Sequence, residues 1–533
     1  MKKLLAVLLA LLILVGCAGG KGGDEPADDV VIFQNENVRK AIGYAIDRVA
    51  IAKALNDGSV AAEGIIPFGL ASNPNTGADF RDDQGSVVEY NVDKAKEYYA
   101  KACEELGMKE LTINLLHGTN EGDSVIKAAE QVAYFLEEVG FKVNLVSKQK
   151  KERLNMMNYG EYDVALTRWG PDYADPQTYM DLYVSTNTSN NSGRYNSAVY
   201  DKQVADAEAA TDPAVRWSNF LAAEKTLVQD DFAVIPVFQA GGAMIIRPTI
   251  SGIQFHNAAV DNYRHIVGKD TVTLVTNTDI VYLDYQYATD GTSFIAESMF
   301  ISGLTELDEA GNWVLDLAES YEMSEDGKVY TFKIRDDANW VDVDGNVVRT
   351  VTAQDFVDAW DRILSPELAS EYAWWITDVL MAEKWEALDE KTFQVTLSQP
   401  NGIFMLCLAF PSAFPINKEF IDAQEQYATS AETILSCGPY ILKSWTPGYS
   451  YELELNKDFN QYDEYVAAGT ANKVVFRVLE DTQTALMEYE AGNLDTVILS
   501  GEQVTANEGV EGFVNRLQGY LFYLSININH YGE

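Results

Sequence analysis

Four cysteines and four histidines are the residues of this 533-residue chain best able to ligate a metal or attack a carbonyl. Their spacing suits neither task. Cys103, Cys407 and Cys437 lie far apart, whereas a zinc site needs ligands paired at short intervals. His117, His256, His265 and His530 are scattered, and each reads as an ordinary surface or core residue. The chain holds no HExxH, no glycine-rich phosphate loop and no GxSxG. No catalysis, no metal and no cofactor are therefore expected. An odd number of cysteines after Cys17 cannot all pair; a Cys103–Cys437 or Cys407–Cys437 disulfide stays open. Cys407, inside the apolar run IFMLCLAF, reads as a buried small hydrophobe.

The elements must supply whatever function the reactive residues do not. There are 81 acidic against 39 basic residues, a formal charge of −42. That balance excludes a nucleic-acid binder, which needs clustered Lys and Arg, and opposes docking on anionic lipid. The 9 Trp, 29 Tyr and 22 Phe are ample for packed cores and exclude a largely disordered chain. At roughly 100–200 residues per domain the length implies about three or four domains or lobes. Residues 1–16 (MKKLLAVLLALLILVG) read as a secretory signal, with two lysines before an apolar run too short to span a membrane comfortably. Cys17 follows at once. Leu14-Val15-Gly16-Cys17 resembles a bacterial lipobox, which implies cleavage before Cys17 and a diacylglycerol on its sulfur. Residues 17–29, rich in Gly and Asp, read as a flexible tether.

Helical and strand patterns alternate downstream. Residues 38–55 carry apolar side chains at helical spacing. Residues 93–106 begin with an N-cap residue and stop at Gly107; residues 124–139 form another amphipathic helix closed by Gly140. Strands are expected at 111–116, 142–146, 272–275, 329–334, 392–397 and 474–478, and a helix at 352–363 with Thr352 as N-cap. This order indicates α/β lobes.

Several segments in combination resemble the extracytoplasmic oligopeptide-binding proteins of ABC importers, solute-binding protein family 5, which also holds dipeptide and nickel receptors. Asn37-Val38-Arg39-Lys40-Ala41-Ile42 with Ala45-Ile46-Asp47-Arg48 is similar to the family's "VRkAi…aiDR" helix. Trp169-Gly170-Pro171-Asp172-Tyr173-Ala174-Asp175-Pro176 is similar to "W..DY.DP". Trp340 to Ala353, with Asp355-Phe356 and Trp360-Asp361-Arg362, is similar to "W.DG.pvTA.DFv..w.R", and Gly438-Pro439-Tyr440 with Trp445 to "GpY.l..w". The order is rotated: residues 30–268 resemble the family's second half and 270–533 its first. A circular permutation accounts for this, with the usual ends fused near Gly268–Asp270; a tandem or misassembled gene product would give the same order.

The resemblance implies an α/β, two-lobed periplasmic-binding-protein type II fold with a hinge and an extra inserted domain, circularly permuted. Residues 30–238 would form one ligand-binding lobe, 239–301 with 418–533 the second, and 302–417 the extra domain. Opening the chain near Val30 and Glu533 would cut one of two hinge crossings and leave the segment around Val237–Arg247. The family binds an extended peptide between the lobes, and a carboxylate there can hold the N-terminal ammonium. Asp172 matches that position; a turn or cap is its plain alternative. Trp169 would line the cleft, and Arg168, Gly170 and Asp172 would present backbone, although Pro171 has no N–H to offer. Tyr372 falls where the family has a cleft tyrosine. Trp374 and Trp375 are cleft or core. Thr289, Asp290 and Gly291 are either a peptide-pairing edge or a simple turn. Arg168 and Arg194 could take a ligand carboxylate or pair with acids nearby. The implied partners are a peptide, permease subunits and a membrane reached through the Cys17 lipid, for a monomer outside the cytoplasm. A receptor for another solute (a nickel chelate or sugar) and a signalling or adhesion lipoprotein are the alternatives.

Overall fold

The structure is a computed structural model; it describes residues 32–529 apart from 189, 211 and 259. The expected signal, Cys17, the tether, and the positions Val30 and Glu533 lie outside the described residues. The helix expected over 38–55 is two helices, α1 (Glu36–Ala45) and α2 (Arg48–Leu55). Ile46 is extended and the Asp47 carboxylate caps the second helix through the Ala50 N–H at 2.9 Å. A short acidic side chain competing for backbone donors splits a pattern that apolar spacing alone reads as continuous. The expected elements that follow form as α3 (Val92–Leu106), β1 (Thr112–Gly118), α4 (Asp123–Val139) and β2 (Lys142–Lys148). Asn91, not Asp93, caps α3, and Gly107 ends it at φ +65°. Helix α5 (Lys150–Asn158) leads to β3 (Val164–Trp169), and β4 (Val234–Ile246) closes the first lobe's chain.

The second lobe contributes β5 (Thr271–Thr276) and α6 (Gly291–Phe300). The inserted region contributes β6 (Ala318–Met323), β7 (Val329–Ile334), α7 (Ala353–Ile363), β8 (Ala382–Asp389) and β9 (Thr392–Leu397). The chain returns through β10 (Tyr440–Thr446), β11 (Ser450–Leu455), β12 (Lys473–Val478) and β13 (Phe513–Ile526). Thr352 caps α7 in a reciprocal box with Asp355, and the same carboxylate accepts from Trp340 Nε1 at 2.9 Å and from Arg349 at 2.6 Å.

Among the described residues the first lobe's sheet runs Val60–Ala61, β4, β13, β3, β1, β2, with Thr496–Ile498 also on β4. The inserted region has its own antiparallel sheet, β8-β9-β7-β6, and the second lobe has β10-β11-β12-β5. Two large cores result. One holds Ile42, Leu136, Leu166, Phe238 and Leu524 of the first lobe. The other is continuous through the second lobe and the inserted region, joining Leu274, Phe300 and Phe476 to Phe332, Trp360 and Trp375.

Both β4 and β13 cross between the lobes. The first half of β4 pairs with 521–525 of β13, and the second half with 513–517. The expectation of a single remaining crossing is thus corrected. Strand β13 carries the chain back into the first lobe, where it pairs with β3 from Leu521↔Trp169 to Ile526↔Val164. Residues 521–526 accordingly belong to the first lobe's sheet rather than to the second lobe's. Near the two limits of the described chain, Gln34 Nε2 donates to Asn529 Oδ1 at 3.2 Å.

Cys103, Cys407 and Cys437 are free, with Cys407 and Cys437 buried, so neither suggested disulfide is present. Disulfides in such a domain contribute about 2–5 kcal/mol. Reductant should therefore leave the thermal midpoint of the purified protein, followed by circular dichroism, unchanged within about a degree. A fall of several degrees would mean that a cross-link exists.

Candidate functional site

Strand β3 ends at Trp169 and delivers Gly170, Pro171 and Asp172 to the space between the lobes. The turn that follows is held by Asp175, whose carboxylate pairs with Arg216 at 2.9 Å and accepts the Gln177 N–H at 2.9 Å. Tyr173 crosses to the other side: its ring meets Trp375 edge-on at 5.9 Å and belongs to the second lobe's core. The lobes are closed on each other at this point.

Asp172 is held by its own backbone N–H, which donates to Thr178 Oγ1 at 3.2 Å. The Tyr372 hydroxyl, from the inserted region, donates to Asp172 Oδ1 at 3.3 Å. Oδ2 is buried and has no hydrogen-bond partner among the described residues. Desolvation pushes the carboxyl pKa up to about 7, and the Tyr372 bond opposes the rise. One buried oxygen with unmet capacity, on a carboxyl that titrates near neutrality, is what a cationic ligand would complete.

The Tyr372 ring is fixed by stacking on Trp374 at 5.8 Å and on Phe410 at 5.5 Å, and by an edge contact with Phe294 at 5.6 Å. Trp375 is fully buried core, and Trp374 is half-buried beside the site. Trp169 is also half-buried, and its buried Nε1 has no partner among the described residues.

Gly170 is required by a ring. A Cβ there would lie 2.1 Å from Cε1 of Tyr520, the residue at which β13 breaks its pairing with β4. Gly519 is required for the same contact from the other side, since its Cβ would meet the Asn257 carbonyl at 1.7 Å and Pro171 Cγ at 2.6 Å. The Tyr179 hydroxyl locks the arrangement, lying 2.6 Å from the Gly519 carbonyl and 3.0 Å from that of Trp169.

Tyr520 joins most of the expected residues. The Arg168 guanidinium lies over its ring at 4.9 Å and over Phe522 at 5.6 Å. A Cβ on Gly291 would come 3.3 Å from its hydroxyl, so the second lobe's segment reaches the first lobe's site. Asp290 is half-buried and spends its carboxylate on α6, accepting Ser293 N at 3.0 Å and Ser293 Oγ at 2.7 Å. Thr289 is exposed. This segment is a helix-capping turn. Arg194 bonds the Thr188 and Asn158 carbonyls at 3.2 and 3.3 Å.

Sequence reasoning missed Tyr520 and Lys150. Lys150 keeps solvent contact, yet desolvation and the Arg168 charge lower its ammonium pKa, while Glu121 and Asp290 oppose this. The signal available for Tyr520 was its place after Gly519, between two apolar stretches of a strand that has to bend there.

Two α/β lobes on a double-stranded hinge meet around an incompletely satisfied carboxylate, the architecture of a type II periplasmic-binding-protein fold. The chain belongs to the bacterial extracellular solute-binding proteins, family 5, whose middle-region model matches residues 28–191 and 312–531. It is 30% identical over 267 residues to the dipeptide-binding protein of Lactococcus lactis, covering 47% of each chain. It is 30% identical over 241 residues to the oligopeptide-binding protein OppA of Bacillus subtilis, covering 43% of each. Peptide-bound OppA of Listeria monocytogenes aligns at 27% identity with a TM-score of 0.43, over 46% of this chain and 50% of that one. The chain spans about half the length of the curated relatives it matches.

The raised pKa of Asp172 has a consequence for stability. A carboxyl whose folded pKa lies above its unfolded value stabilises the fold below the unfolded value, and that stability is lost as pH rises through the folded pKa. The window here runs from the ordinary carboxyl range to about pH 7. In ligand-free protein, Asp172→Asn should match the wild type near pH 4.5 and become more stable than it above pH 7. The side chain is only partly shielded, so the gain is discounted to about 1–3 kcal/mol. Denaturant melts at both pH values measure it; equal stability at pH 8 would show that Asp172 is not desolvated.

Proposed function

We propose that this protein is an extracytoplasmic receptor that captures peptides between its lobes and delivers them to the permease of an ABC importer. The unpartnered, buried Oδ2 of Asp172 carries the reading, because it supplies a fixed acceptor for an α-ammonium in a desolvated setting. Tyr372 holds the other oxygen in place. Arg168, resting on aromatic rings, would meet the ligand's carboxylate, with Lys150 adding charge at the opening. Trp169 and Gly170 would line the path between these poles. Thr289, Asp290 and Gly291 would close the path from the second lobe, chiefly by backbone, since the Asp290 side chain is spent on capping. Backbone recognition of this kind tolerates many side chains, and Pro171 removes one donor from the register.

The rotated order of family segments is read as a circular permutation. Residues 30–238 with 521–526 form the first lobe, 239–301 with 418–520 the second, and 302–417 the extra domain. The Gln34–Asn529 hydrogen bond supports it, because the segments that run on into each other in the family's order meet in space here. Cys17 would carry the lipid that tethers a monomeric body outside the cell membrane.

Isothermal titration of the soluble form with trialanine and N-acetyl-trialanine tests the reading. Asp172→Ala should weaken trialanine at least about thirtyfold, in line with about 2–5 kcal/mol for truncating one partner of a buried charged pair. The acetylated peptide should bind weakly to both proteins. Equal affinity of trialanine for wild type and variant would refute the assignment of Asp172.

A further inference from the structure

Gln239 is the only polar side chain in β4, with VIPVF before it and AGGAMII after it. It is 1% exposed, and its backbone is paired on both sides, to Val60 and to Leu521. A buried carboxamide is costly unless its donors and its acceptor are met. Gln239 meets them by bridging two separate segments. Its Nε2 donates to the Phe68 carbonyl at 2.9 Å and to the Gln518 carbonyl at 2.9 Å, and its Oε1 accepts the Phe68 N–H at 3.0 Å. Two carbonyls demand donors and the N–H demands an acceptor, so the orientation of the amide is fixed. Only asparagine offers the same planar set of groups, and it is a methylene shorter.

Both partners bear on the site. Phe68 lies in the loop that sends Ile65, Ile66 and Leu70 into the first lobe's core. Gln518 opens the irregularity in the hinge ribbon. Gly241 pairs with Leu517 and Gln239 with Leu521, so Ala240 alone faces Gln518, Gly519 and Tyr520. A bulge of this kind leaves carbonyls that the ladder no longer satisfies. The Gln239 amide takes that of Gln518, and the Tyr179 hydroxyl, 2.6 Å away, takes that of Gly519. The bulge is thereby fastened to the first lobe through Phe68 and Tyr179. Tyr520, its last residue, packs on Gly170 and carries the Arg168 guanidinium 4.9 Å from its ring centre.

We infer that Gln239 is a positioning residue for ligand capture: its amide locks the 518–520 bulge onto the first lobe and so sets the Tyr520 ring beneath Arg168. Buried as it is, Gln239 touches no ligand and acts through Tyr520. The inference rests on the receptor reading above and adds to it a residue outside the cleft, whose loss frees Tyr520 and Arg168 without unfolding either lobe.

The test is a double-mutant cycle read by isothermal titration with trialanine, on the wild type, Gln239→Met, Tyr520→Leu and the double variant. Methionine keeps the length and packing of glutamine and removes the amide. Gln239→Met should weaken trialanine at least about tenfold in the wild-type background and by less than about twofold beside Tyr520→Leu. A merely structural residue would lower affinity by the same factor in both backgrounds; that result would overturn the inference and leave the receptor reading standing. Unchanged affinity in Gln239→Met would also overturn it. Gln239→Glu, which keeps the acceptor for the Phe68 N–H and loses both donors, replaces Gln239→Met in the same cycle should the latter fold poorly. No binding of trialanine to the wild type would overturn the receptor reading and the inference with it.

Discussion

The antiparallel pairing of β4 with β13 is the constraint on which the rest of the molecule depends. The same two strands build part of the first lobe's sheet and then bridge to the second lobe, with the break in register between Leu517 and Leu521 marking the change. A two-strand ribbon bends easily across its face but resists sliding, because sliding by one residue would turn every side chain to the wrong side. Lobe closure is thereby reduced to a bend at one place. The site is built where the bend occurs: Tyr520 sits at the irregularity, packs on Gly170 and approaches Gly291. The proposed ligand contacts and the hinge geometry are consequently one set of interactions.

The chain leaves that carboxylate incompletely paired while pairing several of its buried arginines closely. Arg81 meets Glu224, Arg153 takes Glu121 through two nitrogens, and Arg264 is gripped by Asp316 and Glu306. Each would be costly if broken. Asp172 receives a single long hydrogen bond from an uncharged donor instead. On the proposed reading, the free energy lost in the empty closed state would be recovered when a cation arrives, so closure would be favoured by ligand rather than by the protein alone.

Much of this was legible in order along the chain. Strands such as Val329–Ile334 and Thr392–Leu397 appear where alternation places them, because each buries one face of a sheet. The Thr352 cap and the Gly107 stop were local signals with local causes. Helix α2 was not, since Asp47 reads equally as a helical residue or as a cap. Asp172 and Tyr372 were found by family pattern, 200 positions apart, and no periodicity links them. The hinge was misread for a similar reason: β13 runs through both lobes, and nothing in its composition marks which half pairs with β3. Asp290 illustrates the limit from the other side, being at the site in space while its carboxylate serves only its own helix.

The surplus of acid sharpens what Arg168 does. With 81 acidic side chains and 39 basic ones, a guanidinium in this protein has no shortage of carboxylates to choose from. Arg216, Arg362 and Arg516 each take one in close geometry. Arg168 lies over Tyr520 and Phe522 instead. Ring faces attract a cation without neutralising it, at about 0.5–2 kcal/mol each, so they orient the group and leave its charge and donors available. A carboxylate partner would have held it more firmly and cancelled the charge. The arrangement puts a cation and an under-satisfied carboxyl group on the same short segment, four residues apart, which supports the proposed ligand with both charges at a matching separation.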